Sequence, residues 1–503
     1  MLFRFFYKLV SHWPPLAWIA SCKAGSDSIH IIHGVGIEHR TEWFCEAVWD
    51  STFAEGNLDQ TDLVFGSGAH IRQDKVTFVS AGSTVDRLQF TVRGDCTFVS
   101  NSLPCLLESI DAQLDATFRG YDELFEQIIR GIDQKLPDLP IVGGLVQFTY
   151  HHNLSWDGAQ LQIIPKPAPR RDFASFENYT SFLRTALLRI GENMSSQERK
   201  RPLAWLGTIS RGYDSATSAA LSREAGLRRV ITLDESRPGM RDDGLAIAKA
   251  LTLDCVVVNR LAWKNYPSLE AVFLAGDAQG KEIMIAGAPT GFDGVVLVTG
   301  QGGDTAWSNK SMPSDNLSRT GHAGLSMTEY RLHAGFIHLP VPFMGLRQRQ
   351  EMLKLSKSAN MTAWDIGGSY SRPICRRVLE EAGVPRDMFG ISKTGASIRF
   401  LRGEDSWSPA GKRALFKWLL IHRSDYGMPL RALLEVRCLL FGLEIVLLLS
   451  RHTPFLSSHF QNFMGRCFRF IARRLAWRIK RRGLNDLAFV WAIDTVRKSY
   501  RAS

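Results

Sequence analysis

The residues best suited to chemistry stand in a short turn near the middle of the chain. An apolar run at 203–209 predicts a strand, Ser210-Arg-Gly-Tyr-Asp-Ser215 predicts a tight turn, and the alanine-rich stretch 216–225 predicts a helix. A turn of this kind presents backbone N–H groups and a helix N-terminus to an anion. The pattern therefore indicates a phosphate-binding turn.

Each polar residue of this turn has a property that phosphate binding would use. Gly212 lets the backbone approach a phosphate closely, Ser210 and Ser215 can donate hydroxyl hydrogen bonds, and Asp214 can hold a cation beside the phosphates. The Gly-Lys-Ser/Thr sequence of the common ATP-binding loop is absent. Serine, glycine and aspartate also suit any turn before a helix, so the turn alone leaves a purely structural role open.

A second glycine turn, Thr299-Gly-Gln-Gly-Gly-Asp304, follows another apolar run. Strands and helices alternate around the two turns and predict a doubly wound parallel sheet, with strands at 229–233, 255–258 and 295–299 and a helix at 242–251. The ligands of such sheets gather at the carboxyl ends of the strands. We therefore expect Asp214 and Asp304 to lie at one edge of the sheet and to share Mg²⁺ and a polyphosphate.

Composition and charge limit the classes of function. Of 503 residues, 45% are hydrophobic and 22% are charged, which is typical of a folded protein of several domains. A formal charge of +11 indicates an anionic partner, either a nucleotide, a nucleic acid or an acidic membrane surface. The eight cysteines show no Cys-x-x-Cys pair and no metal-ligand spacing, which favours reduced thiols and a cytoplasmic protein. Arg4, Lys8 and His12 interrupt the apolar amino terminus, so secretion is not expected.

The first third of the chain predicts mainly strands. Apolar segments separated by turn residues stand at 29–33, 63–65, 76–80, 88–92, 97–100 and 145–149. Helical patches are predicted around 41–54 and 121–132, so we expect an α+β or sandwich-like first domain. Prolines between 165 and 169 predict a linker, and apolar residues at helical spacing predict a helix at 176–190.

The last quarter of the chain is basic and is predicted to be helical. A basic helix at 372–383 precedes a loop that carries Lys393, and helical patterns continue from 412. The apolar segment 430–450 contains charged residues, which favours a buried or interfacial helix over a membrane span. The basic stretch 451–501 fits a solvated face over a core, with peripheral contact to an anionic membrane as the second alternative and nucleic acid as the least favoured.

Three elements therefore stand in order: the turn 210–215, the turn 299–304 and the loop Ser392-Lys393-Thr-Gly-Ala-Ser397. Together they resemble the synthetase domain of the asparagine synthetase family, whose turns read Ser-Gly-Gly-x-Asp-Ser and Ser-Gly-Glu-Gly-Ala-Asp and whose late loop carries a lysine. The same architecture occurs in β-lactam synthetases and lasso-peptide cyclases. The resemblance covers about residues 170–400 of this chain.

The resemblance implies an α/β fold with an amino-terminal α+β sandwich-like domain, then a doubly wound parallel sheet of the ATP pyrophosphatase (adenine nucleotide alpha hydrolase-like) type with a helical carboxyl-terminal extension. The implied domains are a degenerate glutamine amidotransferase-like domain at 1–165, an ATP-binding synthetase domain at 172–405 and a basic helical extension at 406–503. Glutamine hydrolysis in this family needs a cysteine at position two, where this chain has Leu2. Intrinsic glutaminase activity is therefore not expected.

The resemblance also implies an ATP-dependent, AMP-forming amide ligase. A carboxylate attacks the α-phosphorus of ATP, pyrophosphate leaves with Mg²⁺, and an amine then captures the acyl group. Asp214 and Asp304 would hold Mg²⁺, and Lys393 would stabilise the charge that develops on the phosphate and acyl oxygens. The residues implied to bind the nucleotide are Thr208, Ser210, Gly212, Asp214, Ser215, Leu233, Thr299, Gly300 and Gly302.

Two departures from the family pattern bear on catalysis. Arg211 replaces the first glycine of the phosphate turn, where it would either bind phosphate itself or block the site. His338 stands where the family usually has a glutamate, so it is a candidate for proton transfer and also for a packed core histidine. The expected substrates are a small-molecule or peptide carboxylate and an amine, with an ammonia-supplying partner as another source of nitrogen. The alternative function is a catalytically silent nucleotide-binding or scaffold relative, whose basic carboxyl-terminal helices contact a partner or a membrane.

Overall fold

Two β-sheets make up the amino-terminal part of the protein. The computed structural model describes residues 2–115, 117–237, 239–289, 291–309, 315–368, 370–391, 395–398, 400, 407–426, 433–434, 436–437, 440–441 and 484–501. The strands of these two sheets are β1 (Arg4–Leu9), β2 (Trp18–Lys23), β3 (Ser28–His33), β4 (Glu38–His39), β5 (Trp43–Trp49), β6 (Val64–Arg72), β7 (Lys75–Val79), β8 (Leu88–Arg93), β9 (Cys96–Ser100), β10 (Leu139–Ile141), β11 (Gly144–Thr149), β12 (Asn153–Trp156) and β13 (Leu161–Ile164). One sheet has the order β1-β3-β2-β9-β8-β11-β10 and the other the order β13-β12-β7-β6-β5-β4. Apart from the parallel pair β1 and β3, all neighbouring strands are antiparallel.

Aromatic side chains fill the space between these two sheets, because alternate residues of their strands point inward. The ring of Trp18 on β2 lies 5.0 Å from that of Phe44 on β5 and 6.2 Å from that of Phe78 on β7. The indole Nε1 of Trp18 donates a hydrogen bond of 3.0 Å to Ser67 Oγ on β6. The sheets therefore share one apolar core, with the short helices α1 (Leu103–Ser109) and α2 (Tyr121–Glu126) in the same part of the chain.

The predicted helix around 41–54 is wrong, because residues 43–49 form strand β5. All residues of this strand are buried. A strand that is buried on both faces lacks the alternation of apolar and polar residues that identifies a half-exposed strand. The predicted helix at 121–132 is confirmed in its first part by α2, which a 3₁₀ turn at Gln127–Arg130 extends.

A parallel sheet of five strands forms the second part of the protein and confirms the predicted α/β organisation. The strands of this part are β14 (Ala204–Thr208), β15 (Arg229–Leu233), the hairpin β16 (Glu235–Arg237) and β17 (Met240–Arg241), β18 (Asp254–Val258), β19 (Val295–Thr299) and β20 (Phe336–Pro340). The sheet order is β18-β15-β14-β19-β20. Strand order therefore reverses between β14 and β19, and at such a reversal a crevice opens beyond the carboxyl ends of the strands.

The helices after α2 connect and cover these strands. Those described are α3 (Phe176–Met194), α4 (Tyr213–Ser222), α5 (Leu245–Ala250), α6 (Leu269–Asp277), α7 (Gly303–Ala306), α8 (Met327–Ala334), α9 (Arg349–Ser356), α10 (Pro373–Glu381), α11 (Pro409–His422) and α12 (Leu484–Val496). Helix α3 confirms the helix predicted at 176–190. Helix α5 begins at Leu245 rather than at 242, because the N–H of Gly244 donates to Thr232 Oγ1 (2.8 Å). No pattern predicted β20, all of whose residues are buried.

Buried polar contacts join the two parts of the protein. Arg331 of α8 donates to Glu46 from both Nη atoms (2.6 and 3.0 Å) and to Asp86 from Nε (2.8 Å). Helix α12 returns to the first part, where Asp486 Oδ1 accepts a hydrogen bond of 2.7 Å from the backbone N–H of Tyr121. These contacts fix how the sandwich meets the parallel-sheet unit.

Much of the predicted basic extension lies outside the described residues. Helices α11 and α12 belong to the described part, whereas most of 430–450 and all of 451–483 do not. None of the helices in the described part is both long and apolar enough to cross a membrane.

Candidate functional site

A cavity of about 350 Å³ lies at the reversal of strand order between β14 and β19. Cavities that bind small ligands commonly have volumes of about 300–1,000 Å³. The predicted site residues that line it are Thr208, Ser210, Gly212, Asp214, Ser215, Leu233, Thr299, Gly300, Gly302 and Asp304. Two larger depressions elsewhere, of about 570 and 470 Å³, contain none of these residues. Both glycine turns therefore face one cavity.

The first turn is held in shape by its own hydroxyl groups. Ser210 Oγ lies 3.0 Å from Ser215 Oγ and accepts a hydrogen bond of 3.2 Å from the backbone N–H of Gly212. Gly212 precedes α4 with φ −75°, so its conformation does not itself require glycine. The backbone of Ser210 also pairs with that of Asp243. The turn thus links β14 to the first turn of α4, which carries Asp214.

The second turn packs directly on the start of α4, and this close approach requires glycine. A Cβ atom on Gly300 would lie 2.3 Å from the backbone N of Ser215. A Cβ atom on Gly303 would lie 2.4 Å from Cγ of Asp214. Real Cβ atoms do not approach other atoms so closely, because van der Waals repulsion is steep at these distances. The glycines of the second turn therefore bring its backbone against Asp214.

Carboxylates dominate the charge of the cavity wall. The acidic residues that line it are Asp214, Asp242, Glu282 and Asp304, and the cation among the described lining residues is Arg372. Arg372 Nη1 donates to Asp214 Oδ1, and Asp304 Oδ2 accepts from Thr320 Oγ1. Carboxylates of this kind bind a polyphosphate through a metal ion that lies between them and the phosphate oxygens.

Sequence reasoning assigned Arg372 to a basic helix and missed its place in the site. Its side chain is 5% exposed, whereas that of Asp214 is 26% exposed. A local signal was present, because Pro373 favours the first position of a helix and so leaves Arg372 as the residue just before α10. The contact with Asp214 spans 158 positions of sequence, and no local pattern reports it.

Helix α10 holds Arg372 in place through its contacts with α4. Arg376, one turn further along α10, donates from Nη2 to the hydroxyl of Tyr213 (2.7 Å). The ring of Tyr213 lies 5.1 Å from that of Tyr370, and the guanidinium of Arg372 lies 5.4 Å from the Tyr370 ring. The arginine beside Asp214 is therefore set by packed aromatic rings.

Apolar side chains complete two walls of the cavity. Leu233 and Val258 stand at the carboxyl ends of β15 and β18, and Ile231 lies two residues before the end of β15. Another wall comes from residues 282–285, which belong mostly to a 3₁₀ turn, and from residues 323–327 at the start of α8. These two segments have no pattern that sequence reasoning could interpret, and they meet here because Glu282 and Ser326 bond to each other in both directions.

Two predicted catalytic residues, Arg211 and His338, lie outside the lining of this cavity. Arg211 is exposed, and its backbone oxygen accepts a hydrogen bond of 2.9 Å from the N–H of Gly390. His338 on β20 is 1% exposed, and its Nε2 lies 2.8 Å from Thr299 Oγ1. Burial lowers the pKa of His338 to about 4, so the imidazole is neutral near pH 7. The contact between His338 and Thr299 helps to fix the Thr299 side chain at the cavity wall.

The third predicted catalytic residue, Lys393, lies outside the described residues. The segments on both sides of it are described. Gly390 bonds to the phosphate turn through Arg211, and Ala396 lines the cavity. Gly390 and Ala396 therefore both lie beside the site.

Mg²⁺ suits the acidic residues of this wall, although they do not form a complete cage. Among the described residues, no group of three or more His, Cys, Asp and Glu side chains is placed to hold a metal ion by itself. Mg²⁺ is usually bound by one or two carboxylates together with the phosphates of a substrate. Asp214 and Asp304, which line one cavity, provide carboxylates of that kind.

Comparison with known proteins adds no relative. No protein-family model matches the chain, and no curated protein matches it.

Proposed function

We propose that the protein is an ATP-dependent, AMP-forming amide ligase similar to asparagine synthetases. The observation that carries this proposal is the shared cavity at the reversal of strand order, where both glycine turns and the carboxylates of Asp214 and Asp304 meet. Nucleotides bind at such reversals in doubly wound sheets. The ATP pyrophosphatase-type fold is part of the same proposal.

In the proposed reaction, a carboxylate oxygen of the substrate forms a bond to the α-phosphorus of ATP, and the bond from that phosphorus to pyrophosphate breaks. An amine then attacks the acyl carbon, AMP leaves, and the nitrogen loses a proton. Mg²⁺, when bound, would neutralise charge on the departing pyrophosphate. Asp214 and Asp304 are the residues that would hold it.

The remaining residues of the wall would bind and orient the nucleotide. Ser210, Ser215 and the N–H groups at the start of α4 would donate to phosphate oxygens. Leu233 and Val258 offer an apolar surface for a base at the ends of β15 and β18. The wall that contains Glu282 and Met284 would contact the acyl or amine substrate.

Isothermal titration with ATP in the presence and absence of Mg²⁺ tests the proposal. We expect magnesium-dependent binding by the native protein and at least tenfold weaker binding by Asp214→Asn and by Asp304→Asn. Asp293→Asn is the matched control, because Asp293 forms an exposed ion pair with Arg201 and does not line the cavity. Its affinity for ATP should equal that of the native protein.

A folded native protein that binds no ATP contradicts the proposal and favours the scaffold alternative. If ATP binds, release of pyrophosphate in the presence of candidate carboxylates and amines identifies the substrates. ATP binding without pyrophosphate release for any acid and amine pair would favour a nucleotide-binding protein without ligase activity.

A further inference from the structure

We propose that Arg372 and Asp214 form a latch that a divalent cation and a polyphosphate open together: Arg372 moves onto phosphate oxygens as Asp214 is released to the metal ion. The inference rests on the proposed function, because it concerns the same cavity. The latch adds to that function a phosphate-binding arginine and a coupling between binding of the metal ion and binding of the phosphate. The latch is defined by these two side chains alone.

The hydrogen-bonding capacity of Arg372 at the cavity wall supports the first half of the latch. A guanidinium has five N–H donors. Among the described residues, the hydrogen-bond acceptor that Arg372 meets is Asp214 Oδ1, although the arginine side chain is 5% exposed and lines the cavity. A buried guanidinium is stabilised when several anionic oxygens accept from it, and phosphate groups supply such oxygens in a matching geometry.

The position of Asp214 supports the second half. The carboxylate lies in the first turn of α4, against Gly303 of the second glycine turn, and faces the cavity. While Arg372 neutralises it, Asp214 has little attraction for a metal ion. A polyphosphate that draws Arg372 away restores the negative charge of Asp214, and a cation bound there attracts the polyphosphate in turn.

The charge balance of the wall explains why neither ligand should enter readily alone. With the latch closed, Arg372, the cation among the described lining residues, is already paired with Asp214, so its charge is not available to a polyphosphate that enters alone. A metal ion alone leaves Arg372 buried without its acceptor, and a buried unpaired charge is strongly unfavourable. Opening by both ligands together avoids both penalties.

The latch predicts that substitution of either residue tightens binding of a different ligand. These effects are measured with a metal ion alone and with pyrophosphate alone. Mn²⁺ serves as the metal probe, because loss of its free electron paramagnetic resonance signal reports binding. We expect Arg372→Met to bind Mn²⁺ at least fivefold more tightly than the native protein when no phosphate is present.

Inorganic pyrophosphate in excess chelator serves as the anion probe. We expect Asp214→Asn to bind it at least fivefold more tightly than the native protein, and Arg372→Met to bind it more weakly.

Arg377→Met is the control for both measurements. Arg377 lies on the same helix but pairs with Glu177 and Glu381 at the surface, away from the cavity. Its affinities for Mn²⁺ and pyrophosphate should equal those of the native protein. Arg372→Lys provides a second variant in case the methionine variant does not fold, and it should keep part of the pyrophosphate affinity because the positive charge remains.

Unchanged Mn²⁺ affinity in Arg372→Met, or weaker pyrophosphate binding by Asp214→Asn without metal, would overturn the latch. Failure of the latch and failure of the proposed function give different results. Magnesium-dependent ATP binding together with unchanged single-ligand affinities rejects the latch alone. The opposite shifts of metal and pyrophosphate affinity, in a protein that binds no ATP, reject the nucleotide function and leave the latch standing.

Discussion

Arg331 and Arg372 are both buried and both contact carboxylates, yet their surroundings differ. Arg331, whose side chain is 1% exposed, donates to Glu46 through two nitrogens and to Asp86 through the third. Arg372, whose side chain is 5% exposed, meets Asp214 through one nitrogen and faces a cavity. Hydrogen bonds from all three nitrogens to two carboxylates mark Arg331 as structural. Arg372 meets a single acceptor at a cavity wall, which is the arrangement that the proposed latch requires.

The electrostatic environment of Arg331 agrees with a structural role. Burial acts to lower the pKa of Arg331, but Asp86 and Glu46 outweigh burial and raise it. The guanidinium therefore stays charged between two carboxylates at the contact of the sandwich with α8. A buried pair of this kind stabilises weakly in net terms, but removing one partner leaves the other as a buried unpaired charge.

The largest effect we expect is loss of stability in Arg331→Met. The substitution leaves Glu46 and Asp86 buried without their cation, and breaking such a pair lowers the free energy of unfolding by about 3–5 kcal/mol. Urea unfolding followed by circular dichroism measures the change. Arg372→Met is the matched variant, and we expect it to lower the free energy of unfolding by less than about 1 kcal/mol, since water in the cavity can solvate the partly exposed Asp214.

Equal losses of stability in the two variants would remove the contrast between these arginines. A loss confined to Arg372→Met would reverse it and would make Asp214 and Arg372 a structural pair. In that case the described lining of the cavity would have no arginine available for phosphate.

His338 offers an intermediate effect that depends on pH. Its folded-state pKa of about 4 lies below the ordinary value of 6.5, so the unfolded chain binds more protons between these values. The stability that neutral His338 provides is fully present above pH 6.5 and is lost as pH falls toward 4. Relative to His338→Gln, which keeps a group able to bond Thr299, the native protein should lose about 2 kcal/mol more between pH 7 and about pH 4.5.

Unfolding of both proteins by urea across this pH range measures that difference. Parallel pH profiles for the native protein and His338→Gln would show that His338 titrates normally and is accessible to protons, as proton transfer would require. A steeper native profile places His338 with Arg331, among the residues that hold the structure.

Patterns confined to one segment identified much of the parallel-sheet unit. The apolar runs that form β15 and β19 are each followed by polar or glycine residues, which indicates where the strand ends. Both strands belong to a parallel sheet, in which continuous apolar strands are expected. Strand β5 carries Glu46 among its apolar residues and is buried throughout, so it lacks the alternation that identifies a half-exposed strand, and the helix predicted around 41–54 is wrong there. The histidine in β20 interrupted the run that would have identified that strand.

The two glycine turns were predictable because the residues that shape them are adjacent in sequence. Glycine is needed where one backbone approaches another, as Gly300 and Gly303 show. The rest of the cavity could not be predicted, since its parts meet through contacts far apart in the chain. Arg372 reaches Asp214 from another helix, and the loop with Glu282 is joined to the cavity through Ser326.

The smallest expected effect tests the support of Asp214 rather than its charge. In Gly303→Ala the new Cβ would lie 2.4 Å from Cγ of Asp214, so the carboxylate must shift within the first turn of α4. We expect magnesium-dependent ATP binding, measured by isothermal titration, to weaken about tenfold, which corresponds to about 1.4 kcal/mol. Gly321→Ala is the matched control, because a Cβ there meets no atom within 4 Å. Undiminished ATP binding by Gly303→Ala would mean that Asp214 acts from a position other than the one beside Arg372, and the contrast between the two buried arginines would then lose its link to the nucleotide site.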